Sequence, residues 1–152
     1  MKNYLIQTFS PFWGSSKHRG VFLLVALFLA SCSIISPFDD FTLNESYIIK
    51  RDIAVLYQLL EDVDAEKRQY EFFQRDYAHI VASLNILLDR QKKRKSNEET
   101  TKIVQQIRDF VIKYRDSHKQ ENAYKNVRIK LHRKRLNSLM TALIVAEEAK
   151  KR

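Results

Sequence analysis

From Phe38 to Arg152 the chain runs for 115 residues without a glycine or a proline. A helix interior tolerates these two residues least, at a cost of roughly 1 and 3 kcal/mol relative to alanine. Nothing in the stretch therefore has to break a helix, and the expected fold class is all-α. Thr42 followed by Glu45, and Ser96 followed by Glu99 after the polar run 91–95, each fit a capping box, in which the two side chains satisfy free backbone donors at a helix start. Two helical regions follow, about 43–93 and about 97–150. Arms of similar length with a brief connection near residue 95 predict a long antiparallel helical hairpin.

Apolar spacing agrees with helices that pack along a seam. Ile49, Ile53, Leu56, Leu60 and Val63 alternate by four and three, and Tyr70, Tyr77, Val81, Leu84 and Leu88 continue the frame, as in a coiled coil. Lys67 and Gln74 occupy seam positions, so the middle of the first arm is weak, and Asp62 and Asp64 could turn the chain there. In the second arm Ile103, Ile107, Phe110 and Tyr114 share one frame, whereas Leu136, Leu139, Leu143 and Ala146 share another. The polar run 116–122 is the place for that register break. If both arms break, the alternative is an up-and-down four-helix bundle.

Folding back about residue 95 sets 84–88 against 103–110 and 49–60 against 127–143. It also brings Glu61, Asp62, Asp64 and Glu66 opposite Lys125, Arg128 and Lys130. Exposed pairs of this kind are worth only ~0.2–1 kcal/mol each, so they set register more than they hold the arms together. A two-helix seam leaves Phe72, Ile86 and Ile112 poorly covered, which points to a homo-oligomer or a protein partner.

The segment ahead of this region is of another kind. Lys17, His18 and Arg19 precede the apolar run 21–29, and Ala30 and Ser31 lead to Cys32, the only cysteine. A positive flank, an apolar core and small residues before a cut describe a secretory signal peptide. With Leu29, Ala30, Ser31 and Cys32 in this order, the segment resembles the signal of bacterial lipoproteins, whose lipobox ends on a cysteine that is acylated. The resemblance implies cleavage between Ser31 and Cys32, with a covalent diacylglycerol on the Cys32 thiol and an N-acyl chain on its new amino group, no other cofactor being expected. It places the protein in the bacterial cell envelope, held to a membrane by its lipid anchor. Some lipoproteins retained at the inner membrane carry aspartate after the cysteine; Ser33 stands there in this chain, which implies the outer membrane.

The expected organisation is thus a signal peptide over 1–31, a lipidated cysteine and short tether over 32–42, and a helical domain over 43–152. The rival is an uncleaved bitopic membrane scaffold with an extracytoplasmic coiled coil, although the apolar run falls short of the ~20 residues of a spanning helix. Both readings keep Lys17 and Arg19 on the cytoplasmic side.

After cleavage 24 basic residues would face 18 acidic ones, a formal charge of +6. No second cysteine is present, so no internal disulfide could form and stability would rest on packed apolar surface. Two basic clusters invite an anionic partner. Arg90, Lys92, Lys93, Arg94 and Lys95 form the expected hairpin tip, and Arg128, Lys130, Arg133, Lys134 and Arg135 lie on the second arm. The second cluster can be matched by acids of the first arm. The tip has only Glu98 and Glu99 nearby, which makes it the better contact for an anionic lipid, a cell-wall component or an acidic protein surface. Nucleic acid is not favoured, because no zinc-finger spacing, RNP-like motif or stacking platform accompanies the charge.

Catalytic patterns are missing from the sequence. Asp76 with His79, and Asp116 with His118, do not make a metal set, since a di-iron bundle uses a Glu-x-x-His on each of two helices plus further glutamates. There is no glycine-rich phosphate loop and no nucleophile elbow. The expected protein is not an enzyme but a lipid-anchored helical spacer or adaptor, whose arm of ~50 residues would reach ~75 Å. A third reading, suited to a compact bundle, is the binding of a small hydrophobic ligand between helices.

Overall fold

In a computed structural model that describes residues 35–151, the chain forms four helices. These are α1 (Asp40–Asp62), α2 (Gln74–Lys93), α3 (Glu98–Glu121) and α4 (Asn126–Glu148), and a final 3-10 turn covers Ala149–Lys151. The expected signal peptide, with Ser31 and Cys32, lies outside the described residues.

The all-α expectation holds, and of the two architectures weighed from sequence the chain adopts the four-helix bundle. Each helix packs against two neighbours, α1 on α4 and α2, and α3 on α2 and α4. Neighbours run antiparallel, as cross-helix bonds show: Lys50 of α1 reaches Thr141 of α4 at 2.9 Å, while Tyr47 reaches Glu148 at 2.9 Å. The pairs expected of the hairpin persist within it, since α1 still meets α4 and α2 still meets α3. What changes is length. Helices of 20 to 24 residues are ~30–36 Å long at 1.5 Å per residue, in place of the ~75 Å of an unbroken arm.

The first break falls at the weak part of the seam. After Asp62 the chain makes two 3-10 turns, Ala65–Lys67 and Tyr70–Phe72, before α2 begins. The residues 64–67 are all exposed, so continuing the helix there would have buried nothing. Breaking it returns Phe73 to the core and packs Tyr70 against it. Arg68 fixes the turn: it is buried, and its guanidinium donates to the Val63 carbonyl at 3.0 Å, to the Tyr124 carbonyl at 3.1 Å and to Asn126 Oδ1. One arginine thus staples the α1–α2 connection to the α3–α4 connection.

The second break comes at the end of the expected polar run. Asn122 takes φ 45°, ψ 33°, and its N–H bonds to the His118 carbonyl at 2.8 Å. This is the left-handed helix stop that asparagine accepts more readily than other side-chain-bearing residues. Its Oδ1 also accepts the Tyr70 N–H at 2.9 Å.

Both capping boxes are displaced. α1 starts after Asp39, and Thr42 donates its hydroxyl to Asp39 Oδ2 at 2.6 Å instead of capping. α3 starts at Glu98, because Ser96 adopts φ 53° in the preceding turn, and Glu98 and Glu99 occupy the first turn, where the helix dipole favours acids.

The seam residues are the core. Ile49, Ile53, Leu56, Leu60, Tyr77, Leu84, Leu88, Ile107, Tyr114, Leu136 and Leu143 are buried. So are Tyr57, Ile80, Leu87, Val104, Val111, Ile129 and Met140, which the seam did not include. The buried stripe on each helix is therefore wider than a two-helix seam, as a helix flanked on two sides requires. No described helix is long and apolar enough to cross a membrane.

Candidate functional site

The up-and-down order brings the start of α1, the α2–α3 connection and the end of α4 to one end of the bundle. The chain enters there: the Ser36 N–H bonds to the Ser96 carbonyl at 3.0 Å, and Lys151 Nζ stands 4.9 Å from the centre of the Phe38 ring. The basic cluster expected at a distal tip thus lies beside the tether, a consequence of each arm folding in two.

The cluster itself divides. Arg90 donates to both oxygens of Asp39, at 2.7 and 2.8 Å, and its guanidinium covers Phe41 at 4.6 Å. Those hydrogen bonds hold the Asp39 carboxyl well below the usual carboxylate range, against the opposing effect of burial. Arg94 turns inward to the Pro37 carbonyl, to Gln91 Oε1 at 3.1 Å and to Glu147 at 3.5 Å. Both arginines are structural. Lys92 and Lys93 at the end of α2 and Lys95 on the connection remain exposed.

Beneath them lies a closed polar network that no local sequence pattern marks. Gln91 donates to Thr42 at 2.7 Å, and Asn97 donates to Gln91 Oε1 at 2.7 Å. Lys150 donates to Asn97, Thr100 and Glu147 at 3.1, 3.0 and 2.7 Å, and the Asp39 N–H reaches the other Glu147 oxygen at 2.8 Å. Gln91 and Glu147 are fully buried. The carboxylate of Glu147 is thereby matched by two cations and a backbone donor, the arrangement that makes a buried charge tolerable.

The opposite end is aromatic. His118 Nε2 lies 2.8 Å from the Arg68 carbonyl and Nδ1 lies 3.3 Å from the Tyr77 hydroxyl. A carbonyl only accepts, so Nε2 carries the proton and Nδ1 accepts from Tyr77. His132 stacks on Tyr114 with centroids 3.5 Å apart, and its Nδ1 is 2.5 Å from the Tyr124 hydroxyl. Burial lowers the His118 pKa; burial and then Arg128, Arg135 and Lys113 push His132 down to about 4. His118 is buried and His132 half-buried, and both rings pack among tyrosines. His79 stands 3.3 Å from Asp52 across the α1–α2 seam and does not pair with Asp76. Among the described residues no three His, Cys, Asp or Glu side chains gather as a metal site.

The second basic cluster is partly neutralised. The pairs expected of Glu61, Asp62, Asp64 and Glu66 with Lys125, Arg128 and Lys130 do not form: Arg128 pairs with Glu121 at the end of α3, Glu61 pairs with Arg133 further along α4, and Asp64 pairs with Lys67, while Arg135 lies over Phe110 at 5.0 Å. The ammonium groups of Lys130 and Lys134 make no hydrogen bond or ion pair among the described residues. No family model, curated protein or solved structure matches the chain.

Proposed function

We propose that the protein is an envelope lipoprotein in which acyl chains on Cys32 hold a non-enzymatic helical adaptor close to a membrane, where it binds a protein or an anionic envelope component. The observation that carries this reading is the attachment of the first described residues to the bundle. Ser36 bonds to the α2–α3 connection and Asp39 is tied to Arg90 and Glu147, so the chain is fixed only a few residues after the cysteine. Only Ser33 and Ile34 lie between Cys32 and Ile35, and covalent geometry limits a span of three peptide links to ~11 Å. The anchored end and the exposed Lys92, Lys93 and Lys95 are then the same end. The adaptor works near its membrane, with a reach of ~35 Å set by one helix length.

For a protein partner, α1 offers Phe41, Ile48, Val55 and Leu59, apolar side chains 39–48 % exposed and spaced by seven, seven and four residues. Phe72 and Ile86 are also exposed, as expected, whereas Ile112 is half-buried. A stable anchor needs more than one acyl chain, which diacylglycerol supplies. Metabolic labelling with an alkyne fatty acid tests the reading. Wild-type protein should carry the label and Cys32→Ala should not; an unlabelled wild type would refute lipidation.

A further inference from the structure

Lys130 and Lys134 open onto an outer cleft between α1 and α4. Its lining includes Lys50, Glu61, Lys130, Arg133, Lys134 and Asn137, and it closes on Ile53 and Met140. Its volume is about 390 Å³, within the ~300–1,000 Å³ of small-molecule sites. Two of its cations are already placed by the protein: Lys50 Nζ is held by Thr141 Oγ1 at 2.9 Å, and Arg133 is held by Glu61. Lys130 and Lys134 have no such partner, and Glu61 is the only acid in the lining.

The bundle does not need this arrangement. Lys130 and Lys134 are four residues apart on one helix face and Lys130 and Arg133 three apart, both repulsive spacings. α4 carries no acid before Glu147, and none in its first turn, so nothing within the helix offsets that repulsion. An anion in the cleft would relieve that repulsion. Arg133 is already matched by Glu61, and a single carboxylate would still leave two of Lys50, Lys130 and Lys134 without a counter-charge. A phosphate group brings up to two negative charges and several acceptor oxygens, and lysine is a common point-charge ligand for it.

We propose that the α1–α4 cleft is a binding site for a phosphate group, contacted by Lys50, Lys130 and Lys134, with Arg133 and Asn137 at its edge. The source is either a soluble phosphate or the headgroup of an envelope lipid. The lipid source rests on the envelope location proposed above; the cleft itself does not.

Isothermal titration of the full chain, extracted from membranes in dodecyl maltoside at fixed ionic strength, separates the cases. The two probes are inorganic phosphate and dihexanoyl phosphatidic acid. Binding of both identifies a site for phosphate itself, and binding of the lipid alone identifies the headgroup as its source. Lys130→Gln with Lys134→Gln should weaken binding at least tenfold while helicity is unchanged. Lys102→Gln with Lys113→Gln removes the same charge from exposed positions of α3 and should leave affinity within twofold. Absence of binding by both probes, or equal losses in the two double variants, would overturn the proposal. The titration is read whether or not Cys32 is acylated, so it and the labelling experiment fail independently.

Discussion

Glu147 lies fully buried near the end of α4, accepting from the Asp39 N–H at 2.8 Å and from Lys150 at 2.7 Å, with Arg94 at 3.5 Å. Glu147→Ala would leave Lys150 and Arg94, whose side chains are 8 % and 15 % exposed, without the carboxylate between them. Removing one partner of a buried pair costs ~3–5 kcal/mol. The lower end applies, because Lys150 keeps Asn97 and Thr100, and Arg94 keeps the Pro37 carbonyl and Gln91. The expected loss is ~3 kcal/mol, a large part of the ~5–15 kcal/mol by which such domains are stable. With a urea m-value of ~1–3 kcal/mol/M, the midpoint followed by circular dichroism should fall by at least ~1 M at unchanged m. Glu147→Gln, which keeps the acceptor and loses the charge, should lie between wild type and Glu147→Ala. Adding Lys150→Met to Glu147→Ala should recover part of the loss, because the stranded ammonium is then gone. A shift below ~0.3 M in the single alanine variant would refute the view that Glu147 neutralises buried cations.

Further outcomes follow from the same contacts. Leu84 is fully buried in the core, and Leu84→Ala should cost ~2–5 kcal/mol in the same urea assay. Asn122→Ala forces a Cβ without a local hydrogen bond into a left-handed conformation and strips the Tyr70 N–H of its acceptor. Its expected cost is ~1–3 kcal/mol, and Asn122→Gly should lose only the hydrogen-bond part. His132 has a folded pKa of about 4, below the ~6.5 of an unfolded histidine. Its neutral form is therefore the one the fold favours: the contribution is complete above pH ~6.5 and is lost as pH falls from there toward 4. His132→Phe, which keeps a ring against Tyr114, should flatten the fall in urea midpoint between pH 7 and pH 4.5; an unchanged slope would assign that fall to other groups.

Much of the fold was legible because apolar spacing survives any choice of topology. Ile49, Ile53, Leu56 and Leu60 face the core whether α1 meets one helix or two. The choice between hairpin and bundle turned on whether residues 64–73 stay helical, and there the deciding contacts are tertiary. Arg68 holds its turn through Tyr124 and Asn126, more than fifty residues away. No local pattern distinguishes that arginine from an exposed one. The basic run at 90–95 was visible as charge, but its location depended on the number of folds in the chain. Once each arm breaks, the run moves from a far tip to the side of the tether, and two of its five members are engaged by acids, Arg90 by Asp39 at the surface and Arg94 by Glu147 further in. Lys50 belongs with Lys130 and Lys134 for the same kind of reason: eighty residues of sequence separate groups that share one cleft.

The central claim is that this bundle is held at a membrane through Cys32, and the intact mass of membrane-extracted protein tests it most directly. The account predicts a wild-type mass that lacks residues 1–31 and carries added diacylglycerol and one further acyl chain, with Cys32→Ala from the same cells showing neither change. A full-length, unmodified chain in both samples would contradict it.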